Sequence, residues 1–427
     1  MNFNLNTKTV KSRCPGRISL SKHADYINSH LLYVLDDRET VIESELSQGD
    51  SVIKLSNKDF GDREIKLENL EKSLENKLDW SFYVLKIIQE LELENQLKDK
   101  ELRIKVTSSI PAAGGLSSSH ALLLSCLRNL SELFDLRQFS EVFKDPGNNK
   151  SKTFELIKLC QKIEQERGFK SGLGDQCAQL FSKKGYLTGI KIFPNLEISY
   201  IPIPEDLSFI TVPSFISADK STPEFVQKNI NIEKYKTLNN LSKKFSCDYL
   251  ADLHNKLSEK EIFKFLESIE DKVSRGLALY GLAESKRVEE LIKDFSPEKL
   301  GEHLNISHLA EVNYYFDAKH QAHEISEEDK LNYLFDNKTP LEKHSGYYHA
   351  STKENDTLQY FTKNHEGVYG SSITGAGFGG NNVAVVCSPK AEALKQYLIS
   401  KYYKSSNPDE DYSLLHISKS NNGVSLI

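Results

Sequence analysis

A ten-residue stretch, Pro111-Ala-Ala-Gly-Gly-Leu-Ser-Ser-Ser-His120, puts two adjacent glycines and three consecutive hydroxyls between a strand-like run at 101–107 and a helical run that starts at Ala121. Those residue types suit phosphate. Glycine lets backbone approach a ligand that a Cβ would push away, and the first turn of a following helix offers unpaired N–H groups to an anion. The stretch has neither the Gly-Lys-Ser/Thr ending of a Walker A loop nor the Gly-x-Gly-x-x-Gly of a dinucleotide site, and alone it reads equally well as an ordinary Gly/Ser turn. Two further glycine-rich segments weigh against the plain turn. One sets an acid among glycines, Gly172-Leu-Gly-Asp175-Gln176, and the other is Thr374-Gly-Ala-Gly-Phe-Gly-Gly380. Three such segments on different parts of one chain predict a ligand held in a cleft between two halves.

The elements that must position them follow from pattern and length. At 427 residues the chain suits two domains of ordinary size. Strand-like patterns at 31–35, 41–46 and 51–55 precede a helical run at 80–93, the strand at 101–107 and the loop with its helix. After a polar loop at 145–152 come an amphipathic helix at 153–167 and strands at 186–192 and 197–201. Pro202-Ile-Pro204 then marks a boundary, giving domains 1–204 and 205–427. Beyond it lie a strand at 207–212, charged helical stretches over 231–296 that read as solvated surface, and a strand at 382–387. This order predicts a layered fold of helices and sheets.

Bulk composition narrows the function classes. Hydrophobic residues make up 38% and charged residues 27%, no apolar run reaches the roughly 20 residues of a membrane helix, and the N-terminus lacks a signal-peptide pattern, so a cytoplasmic protein with no membrane partner is expected. The net charge is −6 with basic residues dispersed, which argues against nucleic acid as a partner while leaving room for a small anionic ligand. The six cysteines contain no Cys-x-x-Cys and read as reduced thiols. His320 and His323 would share one face of a helix, but no third ligand accompanies them, so a metal there is disfavoured.

Three segments together resemble the sugar-kinase branch of the GHMP kinases, galactokinases most closely. Pro15-Gly-Arg-Ile-Ser-Leu-Ser-Lys-His-Ala-Asp-Tyr26 is similar to the first motif of that branch and keeps its His-x-Asp-Tyr core; Pro111–Ser119 resembles its phosphate loop, and Thr374–Gly380 its third motif. The resemblance runs from residue 14 to about 387 and implies an α+β architecture, with an N-terminal domain like domain 2 of ribosomal protein S5 and a ferredoxin-like C-terminal domain. It implies transfer of phosphate from ATP to a small hydroxylated molecule, with Mg²⁺ as cofactor and sugar and ATP as the small-molecule partners. By the same resemblance Asp175 is the catalytic acid with Arg17 beside it, and His23, Asp25, Gly172 and position 22 touch the sugar. The triphosphate falls to Gly114, Gly115, Leu116, Ser117, Ser118 and Ser119, with Gly375 and Gly377 from the third motif, and Mg²⁺ to Ser119 and Glu164. A guanidinium within about 4–6 Å is expected to lower the Asp175 carboxyl and leave it ionised, a weak base.

Several positions depart from the pattern. Lys22 replaces a glutamate, Ala113 the first loop glycine, Ser372 an arginine, and His120 follows the serine triplet where alanine is usual. Asn28-Ser29-His30 stands in the region of a Gly-Gly pair, and no tyrosine in 214–236 matches the one that contacts sugar in the family. The change at Lys22 leaves galactose, L-arabinose and galacturonate as candidate substrates. Two different functions fit the same motifs: a sugar sensor without catalysis, and a kinase for a non-sugar alcohol such as mevalonate or homoserine. His23 and Asp25 speak against the second.

Overall fold

The computed structural model describes residues 7–22, 26–168, 171–217, 223–332 and 335–427, with backbone alone for 223–229 and 327. Two sheets organise it. The first joins β1 (Lys8–Ser19), β2 (Leu31–Gln48), β3 (Val52–Asn57), β4 (Arg63–Lys66), β5 (Lys100–Ser108), β6 (Tyr186–Lys191) and β7 (Glu197–Pro202). The second begins just past Pro202-Ile-Pro204 with β8 (Leu207–Pro213); after a short hairpin of β9 (Tyr314–Phe316) and β10 (Ala322–Glu324) it adds β11 (Val368–Ile373), β12 (Asn381–Cys387) and β13 (His416–Ser418). The last described strand, β14 (Ser425–Leu426), returns to the first sheet, so a single cut at 204 does not separate the strands of the two sheets.

The first sheet runs β14-β1-β2-β5-β3-β4, with β6 and β7 branching from the early end of β2. The second runs β11-β12-β8-β13 with every pairing antiparallel. Apolar alternation accounts for β5, where Leu102, Ile104 and Val106 are buried while Arg103, Lys105 and Thr107 face out. One core cluster carries residues of both sheets, from Ile18 and Leu102 to Phe209 and Val385, so the halves share a continuous apolar contact.

Four expectations fail here. The strands expected at 31–35 and 41–46 are one strand, because the intervening Asp36 is buried with partners: Arg38 Nε donates to it at 2.8 Å and Ser418 Oγ at 2.8 Å. The segment 231–296 is not solvated surface. Its long helix, Lys272–Lys293, buries Leu277, Leu279, Tyr280 and Val288, and two of its charges, Glu284 and Arg287, pair in the interior at 2.8 Å. Helix Lys150–Glu166 starts inside the expected polar loop. His320 and His323 belong to the β9–β10 hairpin and not to a helix face; His320 Nδ1 meets Tyr360 OH at 2.7 Å and His323 Nε2 meets Asp317 Oδ2 at 3.0 Å. No described helix is long and apolar enough to cross a membrane. All six cysteines are free thiols.

Candidate active site

Arg17 owes its position to a break in the β1–β2 ladder. The register shifts between Pro15 and Arg17, a bulge that turns the strand and re-aims the side chain that follows. The Arg17 N–H donates to Leu116 O at 3.0 Å, fixing the strand against the phosphate-loop segment. Its guanidinium then forms a two-pronged pair with Asp175, Nε to Oδ1 at 2.6 Å and Nη2 to Oδ2 at 2.8 Å. Such fork geometry fixes direction as well as charge. A third guanidinium nitrogen, Nη1, donates to Gly115 O, tying the pair to the loop.

Asp175 lies in the first turn of helix Gly174–Phe181, where the helix end favours an anion. Its side chain is 25% exposed. Burial pushes its carboxyl up, but the Arg17 charge, then His120, with the Arg17 and Ser117 hydrogen bonds, outweigh burial and lower it to about 2. The acid is therefore ionised at neutral pH.

Helix Ser118–Leu133 begins within the serine triplet, three residues before the expected Ala121, with Ser117 at φ 64° just before it. Ala121 N closes the first helical bond, to Ser117 O at 3.0 Å, which leaves the N–H groups at the helix start without helical acceptors. The loop also touches the third motif. A Cβ on Gly115 would lie 2.6 Å from Thr374 O, and one on Gly375 would lie 2.5 Å from Gly115 O, and both glycines have positive φ. Asn381 Nδ2 donates to Gly114 O at 2.6 Å, and the Thr374 hydroxyl accepts from Ser19 N at 2.9 Å, so both sheets meet at the loop. Ala113, where the family pattern has glycine, holds φ 56°. Because a Cβ costs about 1–2 kcal/mol in that region, Ala113→Gly is expected to raise stability by up to about 1 kcal/mol, less the entropy of a freer unfolded chain, read as a higher urea midpoint.

These groups open onto one cleft of about 1000 Å³. Arg17, Asp175, Gly172, Gly115, Ser117, Ser118, Ser119 and Glu164 line it, and so do Gly375 and Gly377. Phe60, Leu78 and Trp80 add apolar surface to the lining. Glu164 is almost fully buried, and Tyr83 OH donates to its Oε1 at 2.9 Å. Burial and then the Glu164 charge push the Tyr83 phenol up, which keeps it a donor.

A family model, GHMP kinases N terminal domain, matches residues 83–183, the span that holds the loop, Glu164 and Asp175. The galactokinase of Thermosipho africanus is 26% identical over 406 residues, covering 92% of this chain and 94% of that protein. Residues 83–183 carry a GHMP kinase N-terminal domain. The similarity is not confined to that domain, since the galactokinase of Pyrococcus furiosus is also 26% identical, over 92% of the chain and 93% of that protein. In fold, the kinase resembles Lactococcus lactis galactokinase complexed with galactose, with a TM-score of 0.73 and 23% identity over 98% of this chain and 95% of that one. Methanococcus jannaschii mevalonate kinase shares the fold more distantly, with a TM-score of 0.54 and 17% identity over 94% of this chain and 97% of that one.

The expected site residues fall into four groups. Asp175, Arg17, Gly172, Gly115, Ser117, Ser118, Ser119, Glu164, Gly375 and Gly377 share the cleft. Gly114 and Leu116 sit behind it: their carbonyls hold Asn381 and Arg17, and the Leu116 side chain is in the core. His23 and Asp25 lie outside the described residues. Lys22 borders the cleft, but its ammonium is 1% exposed and is held by Glu311 Oε2 at 2.8 Å and Ser372 Oγ at 2.6 Å. Expected as a sugar contact, the charged end is instead engaged inside the protein, and Ser372, the other departure from the family pattern, is one of its partners. Sequence reasoning missed Tyr83 as the partner of Glu164 and Trp80 as cleft lining; the aromatic-rich start of the 80–93 run was the available signal.

Proposed function

We propose that this kinase transfers the γ-phosphoryl group of ATP to a monosaccharide hydroxyl, the anomeric one, as the galactokinase relatives' name suggests: sugar and ATP give sugar 1-phosphate and ADP. The observation that carries the reading is the Asp175–Arg17 pair, joined through Arg17 Nη1 to the glycine loop that leads into the helix Ser118–Leu133. Phosphoryl transfer passes through a loose transition state, so the protein chiefly positions groups and spreads charge. Asp175, ionised, accepts a hydrogen bond from the attacking hydroxyl and aims its oxygen; so weak a base takes the proton only as the bond to phosphorus forms. Arg17 holds that carboxylate and neutralises charge beside the transferred group. The N–H groups at the start of helix Ser118–Leu133 and the backbone of 114–119 hold the triphosphate, with Gly375 and Gly377 as the opposing wall. His23, Asp25 and Gly172 contact the sugar, and the apolar wall at Phe60, Leu78 and Trp80 shelters the base.

Ser119 and Glu164 suit Mg²⁺: both line the cleft with oxygen donors, and among the described residues only one Glu164 oxygen is taken, by Tyr83. When bound, the ion neutralises phosphate charge. Glu164→Gln is expected to raise the Mg²⁺ concentration for half-maximal rate by about 10-fold or more, measured by titration of ADP release. The reading as a whole is tested by coupled ADP release from purified protein with ATP and galactose, L-arabinose or galacturonate. Sugar-dependent turnover with one of them is expected; turnover with no aldose or uronic acid overturns it.

A further inference from the structure

Gln179 lies four residues beyond Asp175 on helix Gly174–Phe181, on the same side of that helix and about 6 Å further along its axis. It is fully buried. Its amide nitrogen carries two hydrogens and donates both to main-chain carbonyls, to Pro15 O at 2.8 Å and to Ser117 O at 3.3 Å. The two carbonyls decide which end of the amide faces them, because an oxygen there would meet two other oxygens. Pro15 is the last residue in register before the bulge that aims Arg17, and Ser117 is the residue at φ 64° before helix Ser118–Leu133. One side chain therefore joins the helix of Asp175 to the strand of Arg17 and to the phosphate loop. The main chain of Gln179 is held as well: Val424 N donates to its carbonyl at 2.9 Å, and a Cβ on Gly423 would lie 2.6 Å from that oxygen. The fork between Arg17 and Asp175 is one point of attachment, about which the helix could pivot. The Gln179 bonds, one turn away, are a second, and two points set a direction.

We propose that Gln179 is a positioning residue for the phosphoryl transfer, its amide setting the direction of the helix that carries Asp175 against the Arg17 bulge and the phosphate loop. The inference rests on Asp175 being the catalytic acid. Gln179 itself is not part of the cleft lining and acts through the groups it joins.

Steady-state kinetics of Gln179→Met, with melting curves, decide the matter. Methionine keeps the length of the side chain and removes both donors. The variant is expected to lower kcat about 10-fold with KM for sugar and ATP within about threefold, because misdirected but intact groups lose rate more than binding. Should Gln179→Met fail to fold, Gln179→Ser takes its place with the same expectations, since the shorter side chain leaves room for water on the two carbonyls. In Asp175→Asn, adding Gln179→Met is expected to cost no more than about twofold further in single-turnover rate, because the helix no longer has a carboxylate to aim. Leu358→Ala separates direction from lost stability. Leu358 is fully buried with Ile210 and Val386 of the second sheet, and its truncation is expected to lower the melting temperature while keeping kcat within about twofold. A kcat for Gln179→Met within about twofold of the wild type, an equal loss of kcat in Leu358→Ala, or an undiminished loss in the Asp175→Asn background would each overturn the proposal. If Asp175→Asn is fully active, the catalytic reading itself fails. If Asp175→Asn is inactive while Gln179→Met is normal, only the role of Gln179 fails.

Discussion

Asp175→Asn is expected to lower kcat by about 10²–10⁴-fold while leaving ATP affinity within a few-fold, since in the proposed function the change removes the charge that faces the hydroxyl and spares the loop that holds phosphate. Asparagine keeps one oxygen for the Arg17 fork, so the variant retains part of a pair whose two bonds measure 2.6 and 2.8 Å. Single-turnover phosphate transfer alongside nucleotide titration separates the two effects. A variant that phosphorylates sugar at close to the wild-type rate removes Asp175 from the chemistry. The wild-type pH profile carries a matching sign. The folded carboxyl is lowered to about 2, against an unfolded reference of about 3.9. Its contribution to stability is therefore fully present above about pH 4 and is lost as pH falls toward 2. No acidic limb of the kcat profile above about pH 4 belongs to Asp175.

The largest expected loss of stability follows Lys22→Met, about 3–5 kcal/mol, because the buried Glu311 carboxylate loses the ammonium that pairs with it. Lys22 and Glu311 are 1% and 0% exposed and 2.8 Å apart, and their positions are 289 residues apart in the chain. The backbone N–H of Lys22 also donates to Glu284 Oε1 at 3.2 Å, a bond that methionine keeps, so the loss is confined to the side-chain pair. Urea unfolding reads the effect as a lower midpoint. Removing both charges together, in Lys22→Met with Glu311→Met, is expected to cost clearly less than Lys22→Met alone, since packed apolar groups replace a buried ion pair at little net cost. Equal stability of Lys22→Met and the wild type would show that the ammonium does not carry this contact.

Local pattern made the regular strands legible. The expected strand at 101–107 is Lys100–Ser108, and that at 382–387 is Asn381–Cys387, because side chains alternating between core and solvent repeat every two residues. The cleft lining was legible through resemblance, since small residues and hydroxyls at fixed spacing carry the phosphate loop. What stayed hidden depends on partners far away in the chain. Charge alone made 231–296 look like surface, although Glu284 and Arg287 cancel each other inside. Asp36 looked like the end of a strand, although Arg38 and Ser418 allow it to sit within one. Lys22 read as a cation facing sugar, and only the fold brings Glu311 and Ser372 to it. His120 read as a departure from pattern, with nothing in the sequence to show that its Nδ1 lies 3.7 Å from Asp175 Oδ2.

One contact at the floor of the cleft constrains what substitution can do there. Gly115 and Gly375 each exclude a methyl group through the other segment's backbone oxygen, and not through a side chain. A clash with a side chain can be relieved by trimming that side chain elsewhere in the sequence, but here nothing can be trimmed. Neither position has a compensating partner, so genetic suppressors of a change at either one would have to shift whole loops, and the pair is a dead end for stepwise divergence.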